Sequence, residues 1–281
     1  MSVKKNLILV KFGGSAITDK STECTYLSEV TRQLLAEVKQ FLINEAVKTD
    51  EFSGDIFQNS RYQFIFVHGA GSFGHIKAKR FGLDEGYNNQ NQFAAVSQVH
   101  YDVRKLNSLF MSDLLLNDLP GIAIPPFMVV RNNNKSITNI DFQTFDTILS
   151  WGLIPISFGD VVIDDTLKFS ICSGDVIIQE LAKRYKPTHV IFLTGVDGLC
   201  TKNPKIHDDA QLIKKLTEET FNFAYTRQNV DTDVTGGIFQ KCKLALELTS
   251  KGIKTYIING TVKGRFRDAL MGHDVEGTVV E

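Results

Sequence analysis

"VHGAGSFGH", Val67 to His75, follows the apolar run Gln63–Phe66 and sets Gly69, Gly71 and Gly74 at the spacing G-x-G-x-x-G. Dinucleotide-binding turns share that spacing, so the first decision is whether these glycines cradle NAD or some other phosphate. An NAD site needs a helix after the glycines and then a second strand, tipped by Asp or Glu about 20 residues on, to hold the ribose. Here Ile76–Leu83 leads into Asp84-Glu85-Gly86 and the polar loop Tyr87–Gln92, with no apolar strand ahead of the acid. The fingerprint is incomplete, and a single loop of this kind would be read as a plain strand-to-helix turn.

It does not stand alone. Other short β-rich runs also end in glycine: "NLILVKFGG" (Asn6–Gly14), "GLIPISFGD" (Gly152–Asp160), "THVIFLTGVDG" (Thr188–Gly198) and "KTYIING" (Lys254–Gly260). Strands this apolar are buried on both faces, which predicts a mainly parallel sheet under helices. Amphipathic helices are expected between them at Leu27–Val47, about Gln92–Leu116, Asp141–Trp151, Gly174–Tyr185 and Gly236–Lys251, so the chain reads as α/β. Two regions break the rhythm. "VVIDDTLKFSI" (Val161–Ile171) alternates around Asp164-Asp165 and predicts a β-hairpin, and the polar stretch Thr49–Ser60 predicts a surface loop.

The 281 residues are 43% hydrophobic, enough for a continuous core, and Lys+Arg 31 against Asp+Glu 32 gives a net charge of −1. No long run of one sign occurs, which argues against a nucleic-acid or membrane-surface partner and for a small molecule. Cys24, Cys172, Cys200 and Cys242 are far apart and form no C-x-x-C, and the six histidines lack a metal-ligand spacing. The run Leu7–Val10 is too short for a signal-peptide core, and no segment approaches the ~20 apolar residues of a membrane span. A soluble, cytoplasmic protein is expected.

The remaining glycine loops point to anion binding. In Lys11-Phe12-Gly13-Gly14-Ser15 the glycines let backbone N–H groups approach a phosphate while Lys11 supplies charge. No G-x-x-x-x-G-K-[ST] occurs, so this is not a P-loop. "SGD" (Ser173–Asp175) opens a helix, and "TGVDG" (Thr194–Gly198) caps a buried strand; in open α/β sheets ligands sit at such ends. "DVTGGIFQK" (Asp233–Lys241) puts two glycines at a helix start and Lys241 one turn further in, within reach of a phosphate bound there.

In this order, "KFGGSAITDK" (Lys11–Lys20), "GAGSFGH" (Gly69–His75), "FGD" (Phe158–Asp160), "SGD", "TGVDG" and "DVTGGIFQK" resemble the amino acid kinase superfamily, and within it the isopentenyl phosphate kinases, over nearly the whole chain. The resemblance implies a three-layer α/β/α sandwich with a mainly parallel central sheet. It implies residues 1–172 as a phosphate-acceptor lobe, 173–281 as an ATP-binding lobe, and a homodimer. It also implies ATP and Mg²⁺ as cofactors, and isopentenyl phosphate as the acceptor, with dimethylallyl phosphate as a second. Carried over by position, Lys11, Gly13 and Gly14 would embrace the transferring phosphoryl group, with Lys20 reaching the same site. Ala70, Gly71, His75 and Gly159 would hold the acceptor phosphate, and Asp175 would organise the lysines. Thr194, Asp197, Gly198, Gly237 and Lys241 would line the ATP site, Gly71 bordering it. Val176, where many relatives carry a second acid, and Cys200, where an aromatic is common, depart from the pattern on the nucleotide side.

The chemistry is coherent without the analogy. A phosphate monoester, with a second pKa of about 6, is largely dianionic at neutral pH and attacks without a general base. Phosphoryl transfer then needs positioning and charge cancellation, which Lys11, Lys20, Lys241, glycine N–H groups and a Mg²⁺ riding on the ATP phosphates would supply. His75 favours a phosphorylated acceptor, because an imidazole donates to phosphate and would gain by protonation there. The acceptor's tail is expected under the helices after His75, with Phe81, Phe93, Val96 and Val99 as candidates. The alternatives are a kinase of another small acid, such as UMP, an acyl-amino acid or a phosphonate, and a non-catalytic nucleotide sensor.

Overall fold

A computed structural model describes residues 5–48, 60–204, 206–228 and 236–281. The loop expected at Thr49–Ser60 therefore lies, apart from its buried last residue Ser60, outside the described residues.

The strand β1 (Asn6–Phe12) runs through the middle of the larger sheet, parallel to β2 (Tyr62–His68) on one side and to β9 (His189–Thr194) on the other. β6 (Ile154–Phe158) and β3 (Gly121–Ala123) extend the β2 side, while β10 (Lys254–Asn259) and β11 (Gly277–Val280) extend the β9 side. Of these strands only β11 runs antiparallel to its neighbour. The chain moves from β1 to β2 on one flank and returns to place β9 on the other, so the strand ends beside β1 form a switch-point crevice, where α/β sheets bind ligands.

Side chains alternate across a strand, and β1 shows what that does. Ile8, Val10 and Phe12 enter one apolar layer with α2 (Ser28–Lys48), α4 (Asn91–Leu116) and α10 (Arg265–Leu270). Phe12 meets Phe66 and Phe110 edge-on at ring centroid distances of 5.2 and 5.0 Å. Leu9 enters the opposite layer, formed by α6 (Phe142–Ser150), α7 (Gly174–Tyr185), α8 (Glu218–Gln228) and α9 (Gly236–Thr249). The same alternation turns Lys11 toward α7. The sandwich is thus α/β/α, each fully buried Leu, Ile or Phe contributing about 1.5–3 kcal/mol. Among the described residues no helix is long and apolar enough to cross a membrane.

The hairpin read at Val161–Ile171 forms, as β7 (Asp160–Asp164) and β8 (Lys168–Cys172). It belongs to a second, four-stranded sheet ordered β5-β4-β7-β8, with β4 (Val130–Asn133) and β5 (Ser136–Ile140), a pair not foreseen from the sequence; the one-turn helix α5 (Pro126–Val129) leads into it. One side chain clasps both hairpin turns. Asp164 accepts backbone N–H bonds from Asn134 (3.0 Å) and Lys135 (2.8 Å) of one turn and from Thr166 (3.0 Å) and Leu167 (2.9 Å) of the other. Burial works to raise its pKa, but the N–H groups of Lys135, Leu167 and Asn134, with the Ser170 hydroxyl, hold it down to about 2.

Where β1 and β2 end, Gly14 meets Gly69 and Gly71 backbone to backbone. A Cβ on Gly14, which begins α1 (Gly14–Ile17), would lie 2.5 Å from Gly71 Cα, and one on Gly69 would lie 2.7 Å from Gly14 N. Gly71 begins α3 (Gly71–Arg80) at φ +51°, and its Cβ would strike Thr18 Oγ1 at 2.2 Å. The Gly14→Ala substitution is expected to cost about 1–3 kcal/mol by overpacking, read as a lower urea midpoint at unchanged m-value; an unchanged midpoint would show that the two loops can part freely.

Candidate active site

A cavity of about 440 Å³ opens at these strand ends. Lys11, from the central strand, crosses its floor to α7, where Asp175 sits in the first turn. Ser173 caps that helix by accepting from Val176 N at 3.3 Å, and the helix N-terminus favours an acidic residue just inside it. Lys11 Nζ lies 2.7 Å from Asp175 Oδ1, and Lys241 Nζ, from α9, lies 3.1 Å from Oδ2 and donates to Gly237 O at 3.1 Å. One carboxylate therefore spaces two ammonium groups.

The side chains of Lys11, Lys241 and Asp175 are 6%, 15% and 20% exposed. Burial lowers the Lys11 pKa, and the nearby Lys241 charge adds to this, while Asp175 opposes both. Burial works to raise the Asp175 carboxyl, but the two lysines outweigh it and hold the carboxyl below the ordinary carboxylate value. The group thus contributes stability above its unfolded pKa, near 3.8, and loses it as pH falls through its lower folded value.

Lys20 reaches the cavity from the loop after α1, and His75 from the first turns of α3. The His75 ring is open to the cavity yet walled in by it. Its pKa is lowered by this enclosure and by Lys11, Lys20 and Lys241, with Asp175 opposing. The sequence-based expectation of a gain on protonation therefore needs an anion in the cavity; without one, the surrounding cations disfavour the imidazolium.

Beyond His75 the walls change character. Ile76 and Ala78 of α3, Val99 and Val103 of α4, and Ile171 and Cys172 of β8 form an apolar compartment. Of the four expected tail residues only Val99 lines it. Phe81 and Phe93 are each 46% exposed, Phe93 stacking on Tyr87, and Val96 packs against the core cluster behind the wall.

Lys11, Gly13, Gly14, Lys20, Ala70, Gly71, His75, Gly159, Asp175, Gly237 and Lys241 all line this cavity. Thr194, Asp197 and Gly198 do not: Thr194 is the last residue of β9 and the other two follow it, joined to the cavity rim where Gly195 N donates to Ser15 Oγ at 3.2 Å. Thr194 Oγ1 donates to Val196 O at 2.6 Å, Asp197 accepts from Asn259 Nδ2 at 3.0 Å and pairs with Arg265, and Gly198, at φ +150°, packs on Thr278. Cys200 is half-buried, bridged to Leu212, and Val176 is exposed.

Several site residues were not foreseen. Ser15 and Gln240 line the phosphate end. His68, the last residue of β2, is fully buried between Phe158 and Phe110, its Nδ1 3.1 Å from Gly69 O and its Nε2 3.1 Å from Asn107 Nδ2. Burial pushes its pKa down to about 4, so it is a neutral brace for the glycine loop. Asp160, inside the quoted "FGD", lies 2.8 Å from His100 Nδ1, and burial raises its carboxyl to about 6. The strand required by a dinucleotide fold is missing here: α3 runs into a short 3₁₀ turn at Leu83–Glu85 and then α4.

This combination of an α/β/α sheet, glycine-walled strand ends and a lysine-carboxylate-lysine floor matches the comparisons with known proteins: residues 6–259 fit the model of the amino acid kinase family, and the chain belongs to that family. It is 32% identical to the isopentenyl phosphate kinase of Methanothermobacter thermautotrophicus over 97% of this chain and 98% of that protein. It is also 32% identical to the isopentenyl phosphate kinase of Thermoplasma acidophilum, over 93% and 95% of the two chains. A crystal structure of an isopentenyl phosphate kinase superposes with a TM-score of 0.80 at 29% identity, covering 98% of this chain and 100% of that one.

Removing the spacer between the lysines should act on chemistry and on acid stability. The Asp175→Asn variant is expected to lower kcat by about 10², because its amide no longer holds the two ammonium groups by charge-assisted hydrogen bonds at the reacting centre. Its acid unfolding should lack the part of the wild-type slope that falls below pH 3.8. Equal kcat, or an unchanged acid profile, would remove Asp175 from this role.

Proposed function

We infer that this chain transfers the γ-phosphoryl group of ATP to isopentenyl phosphate, forming isopentenyl diphosphate. The carrying observation is a single cavity whose one end is glycine backbone, lysines and an imidazole and whose other end is a short apolar compartment. That shape suits a phosphate monoester with a small hydrocarbon tail, and the similarity to isopentenyl phosphate kinases over almost the full chain supports the same acceptor.

Ala70, Gly71, Gly159 and His75 hold the acceptor phosphate in this reading, with its tail against Val99, Val103 and Ile171. Lys11, Lys20 and Lys241, with Gly13 and Gly14, bind the transferring phosphoryl group, and Asp175 sets the spacing of two of those lysines. An acceptor oxygen forms the new P–O bond as the bond from the γ-phosphorus to ADP breaks. No side chain need remove a proton, because the acceptor is already largely a dianion. The lysines cancel the charge that develops between anions brought in line.

Thr194, Asp197, Gly198, Gly237 and Lys241 belong to the nucleotide side, which makes residues 173–281 the ATP lobe and 1–172 the acceptor lobe. Mg²⁺ fits this site as a companion of the nucleotide, supplying charge neutralisation when bound. Asp175 turns both oxygens to ammonium groups, so the ion would be held through the nucleotide phosphates. A cytoplasmic homodimer completes the reading.

ADP release with Mg·ATP against isopentenyl phosphate, dimethylallyl phosphate, UMP, acetylglutamate and fosfomycin tests the acceptor. Turnover confined to the two prenyl phosphates is expected. Turnover of UMP, acetylglutamate or fosfomycin would overturn the acceptor, and nucleotide binding without any turnover would favour a sensor.

His75→Gln should raise the acceptor KM or lower kcat by about 10² or more. A bound dianion raises the His75 pKa above its lowered free value, so binding takes up a proton and the histidine's advantage over glutamine should shrink as pH rises and the imidazolium is lost. A ratio independent of pH would mean that His75 does not ionise against the acceptor.

A further inference from the structure

We propose that Glu23 is a positioning residue that, through Arg80 and Lys77, fixes the loop carrying Lys20 over the phosphoryl-transfer end of the cavity; this rests on the kinase reading above. The loop leaves α1 and returns beside itself, Thr18 bridging Tyr26. Its far end is tied to α3. Cys24 N donates to Ser72 O at 3.4 Å and Thr25 N to Ser72 Oγ at 3.3 Å, while Ser72 N donates back to Thr18 Oγ1 at 3.1 Å. Glu23 pairs with Arg80 and lies 3.7 Å from Lys77, which reaches Asp102 of α4 at 2.5 Å.

Two features make these ties functional. Cys24 sits at φ +54°, a left-handed conformation that a residue with a side chain adopts only when its surroundings impose it. Lys20 precedes that turn on a loop whose shape is set from outside. In addition, α3 presents Gly71, Gly74 and His75 to the cavity while Ser72, Lys77 and Arg80 grip the loop. One helix therefore keeps the acceptor end and the Lys20 loop in register, and a small displacement of a phosphoryl-binding lysine is expensive in rate.

The Glu23 and Arg80 side chains are 32% and 57% exposed, and ion pairs this open contribute little to global stability. That separates positioning from folding. Glu23→Gln, and independently Arg80→Gln, are expected to lower kcat about tenfold with the thermal midpoint and the acceptor KM nearly unchanged. In a Lys20→Met background the added Glu23→Gln change should alter kcat less than about twofold, because a pin acting through Lys20 has nothing left to place.

A readout free of the acceptor uses nucleotide alone. Mg·AMPPNP, which carries a third phosphoryl group, should bind Glu23→Gln at least about threefold more weakly, and Mg·ADP equally well. Wild-type kcat in both single variants, an undiminished loss in the Lys20→Met background, or unaltered AMPPNP affinity would overturn the proposal. A wild-type chain inert toward isopentenyl phosphate would sink the acceptor assignment instead, and the AMPPNP comparison would still decide the role of Glu23.

Discussion

Everything at the site depends on the ends of β1 and β2 approaching with no side chain between them. Gly14 and Gly71 leave no room for a Cβ on Gly14, and Gly69 meets Gly14 just as closely. Because the loops touch, α3 starts directly at the end of β2, and His75 comes round one turn later facing the lysines. On the other flank Gly13 N donates to Leu193 O at 2.8 Å, fastening the same loop to β9. Gly174, at the start of α7, packs less tightly on the β2 end: its Cβ would lie 3.1 Å from both His68 O and Lys11 Cε. The backbone packing thus decides how far apart the charges are.

Those charges are held at a cost that a bound anion relieves. Lys11, Lys20, Lys241 and the titratable His75 converge on one cavity, with Asp175 between two of the lysines. Desolvation and the neighbouring ammonium groups lower the pKa values of Lys11 and His75, a measure of how poorly this cavity tolerates their protonated forms unless an anion is bound. Donors assembled before substrate arrives need no reorganisation during reaction, which is the main source of electrostatic catalysis. Asp175 makes the assembly possible by balancing part of that charge without occupying the space a phosphate would take.

Five strands of the larger sheet, β1, β2, β6, β9 and β10, were legible because each is an apolar run closed by glycine, whereas the short β3 and β11 lack that signal, and α7 begins and ends at the residues expected, Gly174 and Tyr185. The phosphate end was legible for the same reason: its lysines and glycines sit at strand ends or helix starts. The second sheet was hidden. "VRNN" and "SITNI" are short and polar; the first becomes a strand by pairing with β7 some thirty residues away, the second by pairing with the first, and Asp164 clasps the turn between them. The tail wall was misjudged because apolar content does not reveal which side of α4 faces the cavity; Val99 and Val103, one turn apart, do so, while Phe93 faces outward onto Tyr87. Nor could sequence tell that Thr194 spends its hydroxyl on Val196 of its own loop and Asp197 its carboxylate on Asn259 at the end of β10.

The two sheets meet at Gly159, a single residue between the last position of β6 and the first of β7. Phosphate-holding groups cluster at the ends of the larger sheet, whereas Ile171 and Cys172 of the apolar wall hang from the smaller one. The molecule is consequently built as a fixed reaction centre with an exchangeable gauge. A changed side chain at Ile171 therefore alters the length of hydrocarbon tail a phosphate monoester can carry into the cavity while Lys11, on the larger sheet, stays where it is.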